Sequence, residues 1–309
     1  MPKYHVDRSI QIDASPQKVF AAAADFGTWT TWSPWLVAEP DAEVKVSENP
    51  SDVGAVYSWN GEVTGQGEVE HKELQCPTKI VDEIRFLKPF KSVAQVGFDI
   101  EAAGDGARIT WNMDGAMPWF LFWMIPMMKT FIGMDYERGL KMLKEWLETG
   151  EIQSKTNIHG TTTVGPLKVA GIRQKAAMKD LGPSMQKAIA RATEQLEAAG
   201  ISTCEGMISV YHHLDMKNQI FDYTTGYVIS ETDTAPDGMS VWSLPECQAF
   251  HVEHIGKYEN LGNAWSAANQ HVRYRKMKQS KVGAYEVYRN SAEDTPAAEL
   301  KTDVYLPLK

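Results

Sequence analysis

Met207-Ile208-Ser209-Val210-Tyr211 and, 77 positions later, Ala284-Tyr285-Glu286-Val287-Tyr288 are two versions of one short strand. Each alternates residue types with the period of a pleated sheet. Working outward, Leu181-Gly182 opens a helical stretch before the first copy, and Leu261-Gly262 opens another 80 positions on. After the strands, Thr224-Thr225-Gly226-Tyr227-Val228-Ile229 returns as Thr302-Asp303-Val304-Tyr305-Leu306-Pro307 at a shift of 78. Each unit therefore reads strand, helix, strand, strand. A duplication of this kind predicts two halves related by a pseudo-twofold axis with a shared cleft.

Strand alternation assigns faces within that cleft. Tyr285 and Val287 lie on one side, Glu286 and Tyr288 on the other, while Val304, Leu306 and Leu308 share a face that leaves Tyr305 opposite. The aliphatic faces are expected to cover the helices, whose apolar stripes are Met185, Ile189, Ala192 and Leu196 in one copy and Tyr258, Leu261, Trp265, Ala268 and Val272 in the other. The remaining face then gathers Tyr211, Tyr227, Tyr288 and Tyr305 around Glu286, with Ser209 breaking the duplication at the equivalent position. Tyrosine rings attract flat or cationic molecules through the ring quadrupole. A carboxylate among them would pair with a cation or, raised in pKa, donate a proton. The pattern is equally that of a solvated strand face with Glu286 as a surface charge, and alternation alone leaves both open.

Upstream, residues 151–162 are polar and read as a linker, dividing the chain into 1–150 and 163–309. In the first part Val6, Ile10 and Ile12 alternate as a strand, and Ser15-Pro16 signals a helix start before Val19, Phe20 and Ala23. From about 41 to 114 glycines punctuate a run of strands, with Gly104-Asp105-Gly106 as a hairpin turn. From about Met127 to Glu148, Tyr136, Leu140, Leu143 and Leu147 fall on one helical face. The order is strand, short helices, antiparallel sheet, long closing helix.

Of the 309 residues, 40 are acidic and 31 basic, and the imbalance is local: residues 1–152 hold 23 Asp+Glu against 14 Lys+Arg, the rest 17 against 17. Neither part carries the basic footprint of a nucleic-acid binder. Cys76, Cys204 and Cys247 form no disulfide or zinc pattern. His212-His213 and His251/His254 lack companion ligands, so neither a metal nor an obligatory cofactor is expected. The basic run Arg273 to Lys278 reads as a solvated helix end. The first residues hold no apolar signal segment, which makes a cytoplasmic location the expectation. Pro118 to Met134, with Trp119-Phe120-Leu121-Phe122-Trp123-Met124-Ile125, is broken by Pro126 and Lys129 and too short to span a bilayer, so no stable membrane insertion is expected. It reads as a buried or cavity-covering segment, with membrane contact as the lesser alternative.

Ile12-Asp13-Ala14-Ser15-Pro16-Gln17-Lys18-Val19-Phe20 followed by Trp29-Thr30-Thr31-Trp32-Ser33-Pro34-Trp35 resembles the START-like superfamily, also called SRPBCC or polyketide cyclase/dehydrase, over about residues 3–149. The resemblance implies a helix-grip α+β fold, a curved sheet around a long C-terminal helix, enclosing a cavity for apolar ligands. Trp59, Trp111, Trp119, Trp123 and Met124 are then candidate lining residues, the alternative being that they fill the core. His254-Ile255-Gly256-Lys257-Tyr258-Glu259-Asn260-Leu261, then Tyr285 to Tyr288, then Glu299 to Leu308 resemble the bacterial GyrI-like effector-binding family over about residues 160–309. Its members bind small aromatic or cationic molecules on the pseudo-twofold axis, with an acidic residue matching Glu286, and some hydrolyse cyclopropane-bearing compounds with it. The chain departs from the family's transcription factors in carrying a START-like module where they carry a helix-turn-helix.

These readings imply a binder of small apolar, aromatic or cationic molecules with two ligand modules, acting in xenobiotic sensing or sequestration. The alternative is a hydrolase of reactive small molecules in which Glu286 is catalytic and Tyr258, Trp265 or Tyr288 orients the substrate. A protein-binding inhibitor is the third class.

Overall fold

Val6, Ile10 and Ile12 turn toward the core from strand β1 (Lys3–Ile12), and Ser15 then accepts the Lys18 amide N–H to cap α1 (Pro16–Ala24). The computed structural model describes residues 1–203, 206–216 and 218–309, so Cys204 lies outside the described residues. The chain forms two compact units, Met1–Gln153 and Ser154–Lys309.

In the first unit, α1 leads through the short α2 (Trp29–Trp32) into β2 (Glu43–Val46), β3 (Val56–Asn60), β4 (Gln66–Gln75), β5 (Lys79–Lys88), β6 (Ser92–Ala103) and β7 (Gly106–Ala116). A 3-10 turn (Trp119–Met124) and α3 (Ile125–Thr149) close it. The sheet is antiparallel in the order β1-β7-β6-β5-β4-β3-β2, curled around α3, whose Tyr136, Leu140, Leu143 and Leu147 are buried in it. The β6–β7 turn is the expected one: Ala103 pairs with Gly106, and Gly104 takes a φ of +59°.

Aromatic rings fill this unit. Trp111 stacks on Tyr136 with centroids 4.2 Å apart and meets Trp32, Trp35 and Phe98 within 5.1 to 5.6 Å. Only a glycine fits beneath it on α3, since a Cβ at Gly139 would lie 2.7 Å from the indole. Trp111 is thus a core residue, while Trp59 is half-buried beside Tyr57 and Phe86. Trp119 and Trp123, expected to line a cavity, are instead 75% and 65% exposed. Pro118 carries the chain off the end of β7 into the turn Trp119–Met124, which holds no buried residue, so the buried reading of the run is corrected for that part, while Ile132 and Gly133 further on pack against the core.

One polar pair is sealed in the same core. His71 and Asp82 are both fully buried, with Nδ1 2.6 Å from Asp82 Oδ1, while Nε2 donates to the Ala24 carbonyl 2.9 Å away and Phe26 stacks on the ring. Burial pushes the Asp82 carboxyl up, and its bond to His71 pulls the other way.

The second unit opens with a strand where the sequence suggests a linker. Residues 155–164 form β8 (Lys155–Val164), followed by β9 (Leu167–Ala177), α4 (Leu181–Ala198), β10 (Met207–Asp215) and β11 (Ile220–Val228). The second copy is β12 (Ser240–Leu244), β13 (Cys247–Ile255), α5 (Gly262–Tyr274), β14 (Ala284–Tyr288) and β15 (Lys301–Pro307). The sheet order, β12-β9-β11-β10-β14-β15-β13-β8, reads the same from either end once copies are equated. Each copy lends its first strand to the other's edge: β8 pairs with β13 and β12 with β9. The run looked like a linker because an edge strand of Thr, Asn, His and Gly leaves alternate residues in solvent. Among the described residues no helix is long and apolar enough to cross a membrane.

Candidate functional site

The central ladder of the second unit joins β10 to β14, and there Ser209 pairs directly with Glu286. These two stand at the repeat shift of 77 from one another, so the pseudo-twofold axis passes between them. Tyr211 and Tyr288, also 77 apart, are each other's equivalents. Directly paired residues share a face, which places Ser209, Glu286, Tyr211 and Tyr288 together with Thr225 and Val304. This face carries both helices, α4 over β9 and β11 and α5 over β13 and β15. The strands on the axis lie between them.

Glu286 is 1% exposed, and its carboxylate receives three aromatic donors. Tyr211 Oη donates to Oε2 over 3.0 Å and Tyr288 Oη to the same oxygen over 2.5 Å, while Trp265 Nε1 of α5 donates to Oε1. Both repeats thus aim their equivalent tyrosine at the single acid. Burial pushes the Glu286 carboxyl above its ordinary range, and the three bonds, which favour the anion, oppose that rise. Burial and the adjacent carboxylate hold the Tyr211 and Tyr288 phenols well above theirs. The rings meet edge to face, Tyr211 with Trp265 at 5.1 Å and Tyr258 with Tyr288 at 5.5 Å. Tyr258, 37% exposed, opens this surround to solvent, and burial followed by the field of Glu286 raises its phenol too. Across the axis, Ser209 replaces the acid with a hydroxyl 2.8 Å from that of Thr225.

The structure therefore brings together Glu286, Tyr211, Tyr288, Trp265, Tyr258 and Ser209. Two expected members are elsewhere. Tyr305 pairs with Tyr285 on the opposite face, stacked at 5.0 Å, and its hydroxyl accepts from Arg289. Tyr227 shares the face of Glu286, but its hydroxyl is tied to Thr193 of α4. The register explains the error over Tyr305: Thr225 lies opposite Ser209 and Val304 opposite Glu286, so the last strands correspond at a shift of 79, one more than the sequence match. A slip of one residue sends a side chain to the other face. The aliphatic residues of β15 thus share the acid's face beneath α5, and the tyrosine does not.

Two polar clusters carry no sequence pattern that singles them out. One is His71–Asp82. The other is Asp303, which accepts from His251 at 2.9 Å and from Arg289 at 2.6 Å. Burial would raise the Asp303 carboxyl, but those two bonds outweigh it and hold it below its usual range. Each pair joins residues well separated along the chain, which spacing does not reveal. His212 bonds Thr224 and His254 bonds the Lys257 carbonyl, and no group of three metal-ligating side chains occurs among the described residues.

Comparison with known proteins divides the chain in the same order. Residues 3–148 match the family of polyketide cyclase/dehydrase and lipid transport proteins, and residues 161–309 match the GyrI-like small molecule binding domain. Among solved structures, the chain is similar to EcmrR in a cryo-EM complex with DNA, at 16% identity over 60% of this chain and 69% of that one, with a TM-score of 0.44. It is also similar to protein CV1439 from Chromobacterium violaceum, at 19% identity over 47% and 97% of the two chains with a TM-score of 0.36. Aha1 from Colwellia psychrerythraea aligns at 15% identity over 48% and 98%, also with a TM-score of 0.36. No curated protein matches the sequence.

Proposed function

This chain joins a polyketide cyclase/dehydrase-type domain at residues 3–148 to a GyrI-like small-molecule-binding domain at residues 161–309, and we propose that the second domain binds flat organic cations over the aromatic surround of Glu286. Both domains are small-molecule-binding modules; the cation, the site and a role in sensing or sequestering such molecules are our reading. The observation that carries it is one buried carboxylate held by Tyr211, Tyr288 and Trp265 on the pseudo-twofold axis.

Beyond its three donors, a positively charged partner would offset more of the desolvation of this buried anion. The tyrosine and indole rings add roughly 0.5 to 2 kcal/mol for each cation contact. A flat cation laid against Tyr258 and Trp265 gains both terms, and a neutral molecule of the same shape gains only the stacking. We read the site as one that holds a ligand rather than hydrolysing it, because all three donors around the carboxylate are already engaged with it and no second carboxylate or histidine among the described residues hydrogen-bonds to it to share acid–base work.

Fluorescence titration with acridine orange, a planar cation, tests this reading. Glu286→Gln is expected to weaken binding at least ~10-fold, about 1.4 kcal/mol, and Tyr258→Ala by a smaller factor. Unchanged affinity in both variants overturns the assignment.

A further inference from the structure

The apolar run after β7 plays no part in the Glu286 site, and it is the most exposed aromatic surface of the first unit. Trp119, Phe120, Phe122 and Trp123 are all more than half exposed, and Met127 and Phe131 continue from Trp123 at four-residue intervals along one side of α3. The β-ladder brings a second apolar element to the same end. Gln95 of β6 pairs with Asp114 of β7, so the register carried two residues further sets Val93 level with Ala116. The β5–β6 hairpin therefore lies beside the point where the chain leaves β7. At its tip Phe90 is 78% exposed, and Leu87 and Val93 are exposed as well.

Charge distinguishes this end from the rest of its unit. Residues 84–98 and 115–134 contain no Asp or Glu, although residues 1–152 hold 23 acidic residues against 14 basic. Lys88, Lys91 and Lys129 are exposed there. The acids at its margin are paired, Asp114 with His5 and Asp135 with Arg138 and Trp35, while Asp7, also next to His5, lies beside Lys129.

We propose that this end of the first unit docks on the surface of an anionic phospholipid bilayer. Trp119 and Trp123 sit at headgroup level, where amphipathic rings are favoured, Phe120 and Phe122 enter the acyl boundary, and Lys88, Lys91 and Lys129 face lipid phosphate. The segment lies on the membrane rather than through it, since no described helix is long and apolar enough to cross. Charge favours this occupant over a second copy of the chain: two such faces would oppose Lys88 and Lys91 to their own copies, and the nearby carboxylates Asp7 and Asp114 lie at the Lys129 margin beside His5. The inference is independent of the Glu286 site.

The test is co-sedimentation of the full chain with phosphatidylcholine vesicles, with and without about 30% phosphatidylglycerol. The expected result is binding to the anionic vesicles, reduced at least ~10-fold without phosphatidylglycerol or in Lys88→Gln/Lys91→Gln/Lys129→Gln. Binding is expected to be lost in Trp119→Ser/Phe120→Ser/Phe122→Ser/Trp123→Ser. These side chains are exposed, and an unchanged near-UV circular dichroism spectrum verifies that each variant is folded. Three results overturn the proposal: no binding of the unaltered chain, equal binding by the aromatic variant, or self-association through these residues in sedimentation velocity without vesicle binding.

Discussion

Glu286 is the buried acid on the pseudo-twofold axis of the second unit, and its titration would separate its structural role from the ligand-binding role proposed for it. Burial raises its folded pKa above its unfolded one, so between the two values the folded chain binds the extra proton. Its contribution to stability therefore falls as pH rises from about 4.5 through the folded value, with nothing lost below. Denaturant unfolding of Glu286→Gln against the unaltered chain should show the variant gaining relative stability as pH rises through that window. Cation affinity should move the opposite way and decline as pH falls through the same range, because only the carboxylate attracts the ligand. In the first unit, His71 meets the Asp82 carboxyl through Nδ1 and the Ala24 carbonyl through Nε2. Asp82→Asn can still donate to Nδ1 of a neutral imidazole. His71→Ala leaves a buried carboxyl unpaired and should cost about 3–5 kcal/mol by chemical denaturation, clearly more than Asp82→Asn.

At the scale of elements, alternation and helical period were legible along most of the chain. The helical face of Tyr136, Leu140, Leu143 and Leu147 is the buried face of α3, and Leu143→Ala, at a fully buried position, should cost about 2–5 kcal/mol of unfolding free energy. What alternation could not supply was register. The match of Tyr227 to Tyr305 is good as a string of letters, yet hydrogen bonding aligns Tyr227 with Leu306. Tyr305→Phe is therefore expected to leave acridine orange affinity within about twofold, whereas Tyr288→Phe, which removes a donor from Glu286, should change it and shift its pH dependence. The polar run at 151–162 reads as a linker for a related reason, although residues 155–164 form β8. An edge strand with no continuous apolar face looks like a linker until its partner, β13, is known. A chain beginning at residue 165 lacks that pairing and is expected to lose cooperative unfolding, while one beginning at 154 retains it.

Across the whole molecule, each unit has its own core, and the acidity of the chain belongs to the first. Residues 154–309 expressed alone should bind acridine orange within about twofold of the full chain, as independent sites do; a larger loss would show that the first unit contributes to the site. The sequence by itself determined the two-domain order, most strand and helix types, and the duplication in which Ser209 stands at the position equivalent to Glu286. All of these follow from local periodicity and from comparing the chain with itself. Tertiary structure decided that β8 belongs to the other repeat's edge, that Tyr305 turns away from Glu286, that Trp265 reaches it from α5, and that Trp119 and Trp123 face solvent. Each of those depends on which residues stand opposite one another across strands or between layers, and pairing over such distances is set by the packing of the whole unit rather than by neighbours in sequence.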